Sequence, residues 1–163
     1  MTSLLIVWHS RTGAALAMAK AAQAGAAQET EVEVRSVAAE AAGPEDLLAA
    51  DGYLFACPEN LASMSGEMKA FFDRTYYPVL DRIQGRPYAA MIAAGSDGTG
   101  AARQIARIAL GWRLKAVAEP LIVCTHAQTP EEILREKHIG PEDLQRCEAL
   151  GAGLAAGMAL GVY

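Results

Sequence analysis

Residues 4–15 read LLIVWHSRTGAA, and this stretch decides the architecture. Leu4–His9 is apolar up to its end, which marks a strand covered on both faces. Ser10-Arg11-Thr12-Gly13-Ala14-Ala15 then turns the chain. Gly13–Ala27 is alanine-rich, with few residues that resist a helix. A buried strand passing through a short loop into a helix is the first unit of an α/β chain.

The unit recurs along the sequence. Glu31–Val37 alternates polar and apolar residues, as a strand nearer an edge does. Pro44–Ala50 starts with proline at the first helical position and acids in the first turn. Gly52–Cys57 (GYLFAC) reads as a second buried strand, with Pro58 expected to stop it. Ser65–Leu80 reads as a helix that gathers Met68, Phe71 and Phe72 on one side. Next come a strand at Pro87–Ala94, a helix at Gly100–Lys115 and a strand at Pro120–Thr125. Thr129 and Glu132 have the spacing of a capping box for a short helix. A last helix follows Gly140-Pro141-Glu142-Asp143 and runs toward Tyr163. Together these predict one domain over 1–163, a three-layer α/β sandwich on a five-stranded parallel sheet of order 2-1-3-4-5. Ligands of such sheets bind outside the carboxyl ends of the strands, here between the first and third. The loops to inspect are His9–Ala15, Pro58–Gly66 and Gly95–Gly100.

Composition narrows the function. Of 163 residues, 52% are hydrophobic, but 34 are alanine, so the core volume is smaller than that fraction implies. A net charge of −5 argues against nucleic acid as a partner, since phosphate-tracking proteins carry a basic patch or stripe. Cys57, Cys124 and Cys147 are odd in number and form no CxxC pair, which suggests reduced thiols and a cytoplasmic setting. No signal-peptide pattern is visible, and the apolar run Ala149–Tyr163 is too short for membrane insertion. No two histidines have helical spacing for a metal, and no metal site is expected.

In the first loop, Ser10, Thr12, Gly13, Ala14 and Ala15 suit a monoester phosphate lying on the N–H groups of the helix start. The same residues also suit a plain helix cap. In the second loop, Pro58, Glu59, Asn60, Leu61, Ala62, Ser63 and Met64 can offer backbone groups to the edge of a flat heterocycle, or simply close a strand–helix turn. Met68, Phe71 and Phe72 read as core.

Ser-x-Thr-Gly after the first strand, with Pro-x(5)-Met-Ser-x-x-Met-Lys-x-Phe-x-Asp-Arg after the third, resembles the flavodoxin-like NAD(P)H-dependent FMN reductases and NAD(P)H:quinone oxidoreductases. The likeness runs from about Leu4 to Val123. It implies a flavodoxin-like fold with FMN as cofactor and NADPH or NADH as electron donor. Ser10, Thr12, Gly13, Ala14 and Ala15 would hold the FMN phosphate, and Pro58 through Met64 would line the ring. Gly95, Ser96, Asp97, Gly98 and Thr99 would close its other side. Two departures stand out: Ala15 replaces a threonine common in such loops, and the chain lacks the long insertion that some quinone oxidoreductases use to form tetramers. A homodimer stays open, with Tyr76, Tyr77 or the glycines at 153, 157 and 161 as its seam. Each has an intrachain packing alternative.

The implied function is electron transfer from NAD(P)H through a flavoprotein to a small acceptor, with no protein catalytic residue. The alternative is a flavodoxin-type carrier without its own NAD(P)H activity, and a flavin-free domain on the same scaffold is a third class. Glu59 either faces solvent or, if it faces the ring, lowers its reduction potential. His9 is either a ligand contact or structural. Gly98-Thr99-Gly100-Ala101-Ala102-Arg103 falls one residue short of a dinucleotide fingerprint and lacks the acid that should follow the next strand. A phosphoacceptor would want acids where His9 and Cys57 stand, and a serine hydrolase would want GxSxG, which is absent.

Overall fold

In the computed structural model, which describes residues 1–163, strand β1 (Thr2–Trp8) is an interior strand of a mainly parallel sheet. Its neighbours are β2 (Val32–Ala38) on one side and β3 (Gly52–Asn60) on the other. β3 pairs in turn with β5 (Pro87–Ala94), in parallel. Leu4, Leu5, Ile6 and Val7 have no exposed surface, and every residue of β5 is buried. β2 has only Val32 buried, as its alternating sequence predicts for an edge.

The flavodoxin-like order 2-1-3-4-5 is present in the five main strand positions, but the sheet has seven strands. One extra strand is β4 (Ser63–Met64), which pairs antiparallel with the end of β3. The other arises because the last position is split. β6 (Lys115–Ala116) pairs with Pro87 and Tyr88, and β7 (Leu121–Cys124) pairs with Met91–Ala94. Four residues lie between Ala116 and Leu121 but only two between their partners Tyr88 and Met91, so the intervening chain loops out of register.

The chain forms six helices, α1 (Ala14–Ala26), α2 (Pro44–Ala49), α3 (Gly66–Val79), α4 (Thr99–Gly111), α5 (Pro130–Leu134) and α6 (Pro141–Leu160), all but the short α5 packed on the sheet. The two faces differ in chemistry. α2, α3 and α4 close over the buried aromatics Tyr53, Phe55, Phe71, Phe72, Tyr88 and Trp112. α1 and α6 close over a layer rich in alanine, including Ala15, Ala19, Ala22, Ala56, Ala93 and Ala155. Small side chains let those two helices approach closely. A Cβ on Gly151 would strike the Ala22 backbone, and one on Gly25 would strike that of Glu148.

Several boundaries differ from the sequence reading. β3 runs through Pro58 to Asn60, because proline forfeits only its N–H; its carbonyl accepts the Ser65 N–H at 3.1 Å. α4 stops at Gly111, because Arg113 takes a left-handed conformation (φ 58°) and the Leu114 N–H turns back to Ala109. α6 stops at Leu160, capped by Gly161 at φ 66°. The glycines at 153, 157 and 161 do not pack the last helix on the sheet. Gly157 meets the Tyr163 ring and Gly161 is the cap, while Gly151 makes the close approach. Tyr76 stacks on Trp112 at 5.7 Å, an intrachain role, while Tyr77 is exposed. No helix is long and apolar enough to cross a membrane.

Candidate functional site

The carboxyl ends of β1, β3 and β5 open into a cleft of about 390 Å³, at the location the topology predicts. Arg11, Thr12 and Ala14 form its first wall. Gly13 is the N-cap of α1 at φ 100°, a conformation that suits glycine, and no side chain caps the helix. Ser10 Oγ accepts the Gly13 N–H at 3.1 Å, and the first turn contains no acid. The N–H groups of Ala14, Ala15 and Leu16 therefore begin the helix without an intrahelical acceptor or a side-chain cap. Ser10, Gly13 and Ala15 belong to the same loop and helix start but do not line the cleft.

Pro58, Glu59, Asn60, Leu61 and Ala62 form the second wall. They belong to a β3–β4 hairpin in which Glu59 faces Met64 and Asn60 faces Ser63. Leu61 (φ 52°) and Ala62 (φ 65°) take the two positive-φ positions of a type I′ turn, which glycine or asparagine usually occupy. Side-chain bonds hold this turn in place. Gln104 Oε1 accepts the Ser63 hydroxyl at 3.1 Å and the Met64 N–H at 2.8 Å. Glu59 Oε1 accepts the Gly98 N–H at 2.9 Å, and Oε2 accepts the Ala101 N–H at 3.0 Å. Glu59 lines the cleft while its carboxylate caps α4, a role the sequence reading did not include. Gly100 is required beside it, since a Cβ there would overlap the Ala62 carbonyl.

Ala93, Ala94, Gly95 and Ser96 supply the third wall. Gly98 caps α4 at φ 90°, as Gly13 caps α1, yet the two helix starts differ electrostatically. The α4 start is filled by Glu59, and Asp97 accepts the Thr99 hydroxyl and N–H, which hold its carboxyl below the ordinary aspartate range. Two carboxylates thus occupy the start of α4, whereas none lies in the first turn of α1. Asp97, Gly98 and Thr99 do not line the cleft, while Ser63 and Met64 line a neighbouring groove between α3 and α4.

Thr125, Ala127, Ile133 and Lys137 form a fourth wall that the sequence reading missed. The topology held the signal: a fifth parallel strand ends on the same rim as the other four, so the segment after β7 had to reach it. The Lys137 N–H donates to the Thr12 carbonyl at 2.8 Å, tying this segment to the first loop. Burial, with the Arg135 guanidinium, pushes the Lys137 ammonium below its usual value.

His9 turns away from the cleft. Its ring is buried, with Nδ1 2.8 Å from Ser65 Oγ and Nε2 3.4 Å from Glu67 and 3.6 Å from Glu40. It joins the end of β1 to the start of α3. Cys57 is buried beneath the second loop, and burial pushes its thiol up to about 12. No cluster of metal-ligating side chains is present.

Comparison with known families assigns residues 41–128, more than half of the chain, to the family described as NADPH-dependent FMN reductase. The chain belongs to that family. A curated flavodoxin from Aquifex aeolicus is 33% identical over 100 residues, covering 61% of this chain and 54% of the relative. The matched region thus spans about half the length of that relative. Among solved structures, a flavodoxin from the Archaea superposes with TM-score 0.77 at 21% identity, covering 95% of this chain and 97% of the other. A flavodoxin, WrbA-like protein from Agrobacterium tumefaciens gives 0.74 at 18%, with 99% of each chain covered. Rubredoxin oxygen:oxidoreductase from Desulfovibrio gigas gives 0.81 at 13%, covering 99% of this chain and 37% of that one. At these identities the structural likeness establishes the flavodoxin-like fold.

For a member of the FMN reductase family, the fit to a flavin mononucleotide can be judged from the walls alone. The helix start that is free of acids lies at one end of the cleft. Backbone from two loops and the small Ala93 and Ala94 side chains line the middle. A phosphate with a flat ring behind it suits that sequence of surfaces.

Proposed function

We propose that this chain binds FMN in the cleft and oxidises NADPH or NADH, passing two electrons to a small acceptor such as a quinone or a free flavin. The observation that carries this reading is the contrast between the two glycine-capped helix starts on one rim, α1 open to an anion and α4 closed by Glu59. Family membership supports the same cofactor.

The residues divide the work. Thr12, Gly13 and Ala14, backed by Ser10 and Ala15, hold the phosphate through N–H and hydroxyl groups. Pro58 to Ala62 form one side of a slot, and Gly95 and Ser96 the other. When bound, FMN supplies the two-electron chemistry between nicotinamide and acceptor. The chain positions the ring and offers it fixed backbone dipoles. The Glu59 and Gln104 bonds keep the hairpin from moving, so donor and acceptor meet a preformed surface in turn.

An NADPH oxidation assay with FMN, run with and without a quinone, tests this reading. Turnover that depends on both supports it. The match to a flavodoxin favours a second reading, an electron carrier that leaves NADPH unoxidised and exchanges electrons only with a redox partner.

A further inference from the structure

The charge of the cleft runs against that of the chain. Overall the protein is acidic, at −5, yet the cleft is lined by two cations, Arg11 and Lys137, and one carboxylate, Glu59. Both Glu59 oxygens accept backbone N–H groups. The ionic surplus facing a ligand is positive.

Lys137 is fixed there by its backbone. Its N–H bonds to the Thr12 carbonyl at 2.8 Å, and its own carbonyl lies 3.5 Å from where a Gly13 Cβ would be. Its side chain is unlike those of Arg135 and Arg146 nearby, which are ion-paired. Arg135 pairs with Glu131, Arg146 with Asp143 and Lys69 with Asp73. The Lys137 ammonium meets no carboxylate and donates instead to the carbonyls of Ile133 (2.8 Å) and Arg135 (2.6 Å). An ammonium held only by neutral carbonyls gains Coulomb attraction by meeting an anion.

Building on the FMN reading above, we propose that Lys137 is a phosphate-recognition residue, whose ammonium supplies the countercharge for the ligand's phosphate monoester and makes the cleft prefer FMN to riboflavin. Thr12 from the first loop and Lys137 from the segment after β7, which line the same cleft, would then both contact the phosphate.

The test is calorimetric titration of FMN and of riboflavin, at low ionic strength, into the full chain and three variants. Thermal melts establish that each variant is folded. Lys137→Met is expected to weaken FMN about tenfold, a difference of about 1.4 kcal/mol, and to leave riboflavin within about twofold. Lys137→Arg recovers most of the FMN affinity. Arg135→Gln, which removes a charge from the same segment outside the cleft, changes neither ligand. Equal weakening of FMN and riboflavin by Lys137→Met, or no weakening of either, overturns the proposal while leaving the flavin site standing. If the unaltered chain binds neither flavin, the functional reading itself fails and this proposal with it.

Discussion

The Glu59 carboxylate accepts the Gly98 N–H at 2.9 Å, so an acid from the end of β3 fills the start of a helix that follows β5. Its second oxygen takes the Ala101 N–H. One side chain thus fixes the width of the slot between the second and third loops and denies the α4 amides to any ligand. Glu59→Ala removes both acceptors and is expected to cost about 1.5–3 kcal/mol, the usual worth of bonds to a charged group. Glu59→Gln keeps one acceptor and should fall between. Urea unfolding measures both, and an unchanged midpoint for Glu59→Ala would contradict the bridging role.

The cysteines should differ sharply in reactivity. Burial pushes Cys57 up to about 12 and Cys147 up to about 11, so neither presents a thiolate at pH 8. Cys124 is half-buried. Alkylation followed by mass spectrometry is expected to label Cys124 first and leave Cys57 untouched until the chain is unfolded. Early labelling of Cys57 would show that the second loop opens readily.

Acid stability should depend on Asp46. Burial disfavours its charged form, but the Gly43 N–H at 2.9 Å and the Arg35 guanidinium at 2.7 Å outweigh it, and the carboxyl ionises below the ordinary value of 3.8. A depressed carboxyl contributes stability that is fully present above the unfolded value. That contribution is lost as the pH falls through the folded one. Asp46→Asn is therefore expected to lower stability at neutral pH and to flatten its decline below about pH 4. Parallel acid limbs in the two proteins would show that the ion pair contributes nothing.

Much of the fold was legible because short continuous apolar runs such as LLIVWH and PYAAMIAA, bounded by turn residues, read as strands buried on both faces. The chain length favours the order 2-1-3-4-5 over a six-stranded alternative, and the rim that holds the cleft follows from that order. What escaped depends on contacts between segments distant in sequence. Leu61 and Ala62 carry no local signal for a type I′ turn; Gln104 and Glu59, from other parts of the chain, hold it. His9 looked like a candidate ligand contact from its place beside the phosphate loop, but Ser65, 56 residues later, takes its ring. Lys137 lay in a charged stretch indistinguishable from a solvated surface. Only the Thr12 carbonyl reveals which side of it faces the cleft.

The account stands on a nucleotide seat at the start of α1, and FMN titration followed by calorimetry and visible absorption tests it most directly. The chain should take up one equivalent of FMN with a perturbed flavin spectrum. Gly13→Val, which forces a β-branched residue into φ 100°, should weaken binding at least tenfold in a folded protein. No heat and no spectral change at saturating FMN, or equal affinity in the folded variant, would contradict it.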